Sequence, residues 1–130
     1  VDFANGTRAM LDLSMFADGA EQQEEITAVG SEARLECLIP AGDLIFSPRT
    51  GFLQPKVPER THVSVDETAL KSGSHHGSTY YEHQKFYSAV VGNGRVEVSA
   101  KDGLMAVAIG TAAEISAREH RVVTMDELGF

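Results

Sequence analysis

The sequence has few of the features that assign a protein to a class at first sight. Among its 130 residues there is no tryptophan and one cysteine, Cys37. A single cysteine cannot form an internal disulfide, which excludes a disulfide-stapled secreted fold and favours a reducing cytoplasm. Cys37 lies in an apolar, strand-like run, so we expect a buried and inert thiol rather than a nucleophile.

Positive charge and long apolar runs are also scarce. The chain carries 11 Lys and Arg against 19 Asp and Glu, a formal net charge of −8, and its basic residues are scattered singly. An acidic chain without a basic stretch argues against a nucleic-acid partner. No apolar run approaches the roughly 20 residues of a transmembrane helix, and the start lacks a signal-peptide pattern, so no membrane partner is expected.

The first half of the chain has the alternating pattern of β-strands. Asn5-Gly6 predicts a type I′ turn between strands over 1–4 and 7–17. One face of 7–17 is apolar, but Met10 and Phe16 lie on the other, so we expect that second face to be covered by another subunit. Further strands are predicted over 21–29, 33–39, 44–47 and 61–65.

The second half changes to helical spacing. Thr79-x-x-Glu82 and Ser99-x-x-Asp102 are capping-box patterns, and Gly92-Asn93-Gly94 ends the first of two helices. The pattern predicts an α+β fold in a single domain, 1–130, with a mostly antiparallel open sheet. The two helices are expected to pack on one face of the sheet, and the other face is expected to be an oligomer interface. The second helix has an apolar stripe formed by Leu104, Val107, Ala108, Thr111, Ala112 and Ile115.

Polar chemistry is concentrated in the stretch SHHGSTYYEH, residues 74–83, which holds three of the five histidines and two of the three tyrosines. His75 and His76 are adjacent and point in different directions, and no Cys pair or His-x-x-x-His occurs, so we expect no metal site. Neither serine lies in the Gly-x-Ser-x-Gly motif of a hydrolase. Two interpretations stay open: a polar helix entrance without a ligand, and a histidine that acts on a hydroxyl-rich ligand.

Several short motifs in the second half occur together in a known order. They are SHHGSTYYEH over 74–83, Phe86, Val98-Ser99-x-x-Asp102-Gly103-Leu104-x-Ala106-Val107, Ala112-Ala113-x-x-Ser116 and Arg121-Val122-Val123. In these motifs the chain resembles the C-terminal part of the glucose–fructose oxidoreductase / inositol dehydrogenase / MocA family. The first half is similar more loosely, in the strand over 11–16 and in Gln23-Glu24-Glu25-Ile26.

The resemblance implies a function for a larger protein. Members of that family are NAD(P)-dependent oxidoreductases that act on sugars, polyols and related hydroxy compounds. They join an N-terminal Rossmann domain to a C-terminal domain that shapes the substrate pocket and assembles subunits through its open sheet. The resemblance therefore implies that this chain is the C-terminal domain of a homo-oligomeric enzyme, and the single cysteine makes a cytoplasmic enzyme the expectation. Alone it would be inactive and bind no cofactor, since NAD or NADP would be bound in the intact protein.

The sequence departs from the family at its catalytic motifs. The family's Glu-Lys-Pro and Asp-x-x-x-His motifs are absent. His75 takes the place of the family histidine, His76 replaces a glycine, and Thr79 replaces an aspartate. The resemblance thus implies substrate binding by His75, His76 and Tyr80 and assigns no catalytic, cofactor-binding or metal-binding residue. The alternatives are a self-standing binding or assembly module without catalysis and, more weakly, a hydrolase centred on His75 and His83.

Overall fold

The computed structural model describes all residues, Val1–Phe130. The fold is α+β, with an open four-stranded antiparallel sheet followed by helices, as the sequence predicts. The chain divides into two compact units, Val1–Tyr80 and Tyr81–Phe130, and the prediction of a single domain over 1–130 stays a prediction. None of the helices is both long enough and apolar enough to cross a membrane.

The sheet lies in the first unit, and each of its strands is antiparallel to the next one along the chain. The predicted strand over 33–39 is confirmed at both ends, whereas the strand predicted from residue 21 begins three residues later and the one predicted over 61–65 lies earlier. The strands are β1 (Glu24–Val29), β2 (Ala33–Ile39), β3 (Asp43–Pro48) and β4 (Glu59–His62), in that order across the sheet.

The two faces of the sheet differ in polarity. Residues paired across neighbouring strands point to the same side, so Ile26, Cys37 and Leu44 share one face with the next row, which contains Leu35 and Phe46. We call these five residues the apolar sheet face. Ile26 is 63% exposed and Phe46 41% exposed, and Cys37 is half-buried rather than buried as expected.

The N-terminal turn differs from the predicted one. The amide of Gly6 donates to the carbonyl of Phe3 at 2.9 Å, and the amide of Phe3 donates to Thr7 at 2.9 Å. Gly6 has φ +84°, but Asn5 is not in the positive-φ region. A type I′ turn needs positive φ at both central residues. The loop therefore has three residues, and the predicted type I′ turn is wrong.

The predicted strand over 7–17 is wrong beyond its first residues. Pairing ends at a single bridge between Asp2 and Arg8, and no strand lies beside the residues that follow. A strand needs a neighbour to accept and donate its backbone hydrogen bonds, and a two-stranded hairpin alone is only marginally stable. Met10 and Phe16 are therefore exposed, at 91% and 95%, without belonging to a sheet face.

Three α-helices follow the sheet. One of them is a five-residue helix that was not predicted from the sequence. The two predicted helices are confirmed. The helices are α1 (Glu67–Lys71), α2 (Ser78–Val90) and α3 (Ala100–Glu119), with single 3₁₀ turns at His75–Gly77 and Asp126–Leu128.

The two predicted capping boxes have opposite outcomes. At the start of α3 the amide of Asp102 donates to Ser99 Oγ at 3.3 Å, and Ser99 N donates to Asp102 Oδ2 at 2.8 Å, which confirms the box. The box predicted at Thr79 and Glu82 is wrong, because α2 begins at Ser78, directly after the 3₁₀ turn. Thr79 Oγ1 instead contacts a histidine of that turn.

The face of α3 that is covered differs in part from the predicted stripe. Ala108 is buried, as predicted, with 5% exposure. Leu104 and Val107 are more than half exposed, while Met105 and Ile109 are half-buried. The covered face is thus rotated by about one residue relative to the predicted stripe. Hydrophobic periodicity alone cannot decide between two adjacent helix faces when both carry apolar residues.

Candidate functional site

The polar stretch before α2 folds into a left-handed turn. His75, His76 and Gly77 follow one another with φ values of 56°, 51° and 89°. For a residue with a Cβ, this conformation costs roughly 1–2 kcal/mol. Two consecutive histidines therefore hold backbone strain here, and such strain persists only where the surrounding structure fixes it, most often at functional sites.

The turn is fixed by close packing at Gly77. An added Cβ there would lie 2.8 Å from Val65 Cγ1 and 3.3 Å from Ala69 Cβ, so the backbone itself packs against this part of the first unit. Ala69, in α1, is fully buried. The carboxylate of Asp66 caps α1 by accepting from the first amides of the helix, and these hydrogen bonds lower the pKa of Asp66. A capped helix and a buried alanine thus form the support for the strained turn.

The two histidines have different surroundings. His76 is half-buried, and its Nε2 lies 3.0 Å from Oε1 of Gln23, just before β1. His75 is exposed, and its Nδ1 lies 3.2 Å from Thr79 Oγ1. Tyr80 is half-buried in the first turn of α2. The structure thus places the three predicted substrate-binding residues within one turn and helix start, while their role in binding stays a prediction.

Three further polar residues, which were not predicted from the sequence, meet on the side of the sheet opposite the apolar sheet face. Asp43 and His62 are direct partners in the β3–β4 pairing, with His62 Nδ1 3.4 Å from Asp43 Oδ1. Arg60 forms a salt bridge with the other oxygen of the same carboxylate. The hydrogen bond from Arg60 is the main reason why the pKa of Asp43 is lowered. The cluster could have been inferred by pairing the two predicted strands, 44–47 and 61–65, in antiparallel orientation.

The residue pair Gln22-Gln23 connects this cluster with the histidine turn. Gln22 Oε1 accepts from the amide of Ala41 at 3.2 Å, two residues before Asp43. Gln23 contacts His76, and its own amide donates to the carbonyl of Ile39 at 2.7 Å. Both glutamines therefore anchor the segment before β1 to the β2–β3 turn on one side and to the histidine turn on the other.

Replacing Asp43 with asparagine is expected to make the free energy of unfolding depend less on pH in the acid range. Because its pKa is lowered in the folded state, the ionised carboxylate stabilises the fold fully above the ordinary value of 3.8, and that contribution is lost as the pH falls through the lowered pKa. Urea denaturation between pH 5 and pH 2 measures the effect. Asp12→Asn, at an exposed carboxylate without an ion pair, is the control; equal curves for the two variants would contradict the assignment.

The site has hydrogen-bonding groups but neither a metal centre nor a dinucleotide fold. No three His, Cys, Asp or Glu side chains converge to hold a metal ion. All strand pairs are antiparallel, whereas a dinucleotide fingerprint needs a parallel strand-turn-helix unit with a glycine-rich loop. The residues present therefore do not fit a nicotinamide dinucleotide. Imidazole and phenol groups can exchange hydrogen bonds and protons with hydroxyl groups.

The chain matches a protein-family model over most of its length. The model of a family described as "Oxidoreductase family, C-terminal alpha/beta domain" matches residues 1–125. The match covers the sheet, the histidine turn and all three α-helices. No curated protein sequence matches the chain.

Proposed function

Because the chain belongs to the glucose–fructose oxidoreductase / inositol dehydrogenase / MocA oxidoreductase family, whose C-terminal alpha/beta domain it matches over residues 1–125, we propose that it forms the substrate side of an NAD(P)-dependent oxidoreductase. The substrate is a sugar, a polyol or a related hydroxy compound. The observation that carries this proposal is the strained turn at His75 and His76, which presents two imidazoles at the entrance of α2.

The side chains at this turn match the chemistry of a polyol. One nitrogen of each imidazole contacts Gln23 or Thr79, which leaves the other nitrogen for a ligand. A hydroxyl group can donate or accept, as the Tyr80 hydroxyl can, so these groups together complement the hydroxyl groups of a polyol. His76 is oriented by Gln23 at 3.0 Å, and His75 by Thr79 at 3.2 Å. These contacts fix the rings before a ligand arrives, which lowers the entropy lost on binding. We assign binding and orientation of the substrate to this turn.

The nicotinamide cofactor belongs to another part of the intact protein in this proposal. When bound, NAD or NADP supplies hydride transfer at a carbon that bears a hydroxyl group. The residues of this chain do not fit the dinucleotide, so we assign the cofactor to a separate Rossmann domain. The role of this chain is then to hold the hydroxyl-bearing carbon in place and to exclude water around it.

The experiment that tests the proposal is steady-state kinetics of the gene product as isolated from its source cells. We expect turnover of a polyol or sugar with NAD or NADP. His76→Ala is expected to lower kcat/KM about tenfold to hundredfold, mainly by raising KM, because the residue binds substrate without taking part in hydride transfer. His83→Ala, at an exposed histidine of α2, is the matched control. Absence of nicotinamide-dependent turnover across a polyol panel would refute the function, and equal kinetics for both variants would refute the site.

We also infer that the subunits associate through the apolar sheet face. Ile26, Leu35 and Phe46 lie there with 63%, 39% and 41% exposure, which is an apolar surface that association can bury. Sedimentation velocity of the chain is expected to show a homo-oligomer. Phe46→Lys is expected to give monomers, and Thr27→Lys, on the opposite side of the sheet, is expected to leave the assembly unchanged. A monomeric unmodified chain would contradict this inference.

We assign the protein to the cytoplasm on the state of its cysteine. Cys37 is unpaired and half-buried, a condition that a reducing compartment preserves. Fractionation of source cells is the measurement, and recovery of the protein from the medium or from an oxidising compartment would contradict the assignment.

A further inference from the structure

A concave surface lies between the β1–β2 turn and the connection from β3 to β4. It is a hollow of about 540 Å³, which is within the range of small-molecule sites. None of its residues belongs to the histidine turn or to the Asp43 cluster. We call it the 49–56 hollow; it is lined by Glu32, Arg49, Thr50, Gly51, Phe52 and Lys56.

The hollow contains two of the four Lys and Arg side chains that form no salt bridge with a carboxylate. Of these four side chains, Arg95 and Lys101 lie outside the hollow. The two remaining cations both line the hollow, and Glu32 forms no salt bridge with either of them. Of the 11 Lys and Arg residues, those paired with carboxylates are Arg8, Arg34, Arg60, Lys71, Lys85, Arg118 and Arg121.

Neutral oxygens hold these two cations in place. Arg49 Nη1 donates to the carbonyl of Ser31 at 3.1 Å. Lys56 Nζ donates to Thr50 Oγ1 at 2.8 Å and to the carbonyl of Gly51 at 2.9 Å. Such contacts orient a cation without cancelling its charge. The hollow thus presents two oriented cations against one carboxylate, in a chain whose formal net charge is −8.

An aromatic side chain completes the hollow. Phe52 lines it and is fully exposed, so its ring surface is available to a ligand. We propose that the 49–56 hollow binds a small organic phosphate monoester, with the phosphate between Arg49 and Lys56 and the organic group against Phe52. A phosphate monoester carries nearly two negative charges at neutral pH, which matches two cations. The guanidinium fork suits its oxygens, and the ammonium group adds a point charge.

The test is titration of the ¹⁵N-labelled chain with phenyl phosphate at constant ionic strength, followed by amide chemical shifts. Saturable shifts are expected over residues 49–56, and Arg49→Gln and Lys56→Gln are each expected to weaken binding about tenfold. Lys56→Arg is expected to retain it. Lys101→Gln is the matched control, because it removes the same charge outside the hollow.

Further ligands separate the two parts of the proposed site. Phe52→Ala is expected to weaken binding of phenyl phosphate and to leave binding of inorganic phosphate unchanged. Benzoate, with one negative charge, is expected to bind more weakly than phenyl phosphate. Shifts that do not saturate, equal weakening by Lys101→Gln, or benzoate binding as tight as that of phenyl phosphate would overturn the proposal.

Discussion

Gly77→Ala is expected to lower the free energy of unfolding of the first unit by about 2–4 kcal/mol, because two costs add at this position. The first is backbone strain, since φ is +89°. The second is overlap, since the new methyl group would lie 2.8 Å from Val65 Cγ1 and close to the fully buried Ala69. Urea denaturation, followed by backbone NMR signals of β2 and β3, reports on this unit alone.

A double-mutant cycle with Val65→Ala separates the two costs. Removing the side-chain atom of Val65 that the new methyl would overlap is expected to relieve the steric part, with a coupling of about 1 kcal/mol or more. Gly6→Ala, in the same unit, where φ is +84° and no atom lies within 4 Å of the added Cβ, is the control for backbone strain alone. If Gly77→Ala costs no more than Gly6→Ala and shows no coupling to Val65, the packing described for the histidine turn is wrong.

Gly42→Ala is expected to cost about 2–4 kcal/mol as well, for a reason that involves the sheet. Here φ is +71°, and an added Cβ would lie 2.7 Å from the carbonyl oxygen of Val63. That oxygen cannot move away easily, because the amide of Val63 donates to the carbonyl of Gly42 at 2.7 Å. The substitution is therefore expected to separate the end of β4 from β3 and to loosen the pairing of Asp43 with His62.

The matched control is Gly30→Ala in the turn between β1 and β2. The nearest atom to an added Cβ there is 3.8 Å away, and φ is not in the positive region. We expect a change of less than about 1 kcal/mol, because alanine also restricts the unfolded chain. Hydrogen exchange of the Val63 amide measures the local effect. Equal stability of the two glycine variants would contradict the geometry of the β2–β3 turn.

Much of the fold could be predicted where the relevant contacts are local in sequence. The strand over 33–39 has a clean alternation and ends before Pro40, so both of its ends were predictable. The capping box of α3 depends on two residues three positions apart, Ser99 and Asp102. The position of the polar stretch before a helix was predictable for the same reason.

Contacts between distant residues account for what could not be predicted. The segment over 9–17 alternates like a strand, but an alternating pattern does not supply the neighbour that a strand requires. His76 meets Gln23 across 53 positions, and Asp43 meets His62 only through the register of two strands. The left-handed conformation of His75 and His76 was equally hidden, because it depends on packing at Gly77 rather than on the histidines themselves.

The order of the strands has a consequence for synthesis of the chain. Each strand pairs only with those adjacent to it in sequence, and the connections are short, with the longest covering residues 49–58. Sheets joined by short loops have little loop-closure entropy to overcome. Each hairpin can thus form as soon as its second strand leaves the ribosome, before the residues of α2 and α3 have emerged.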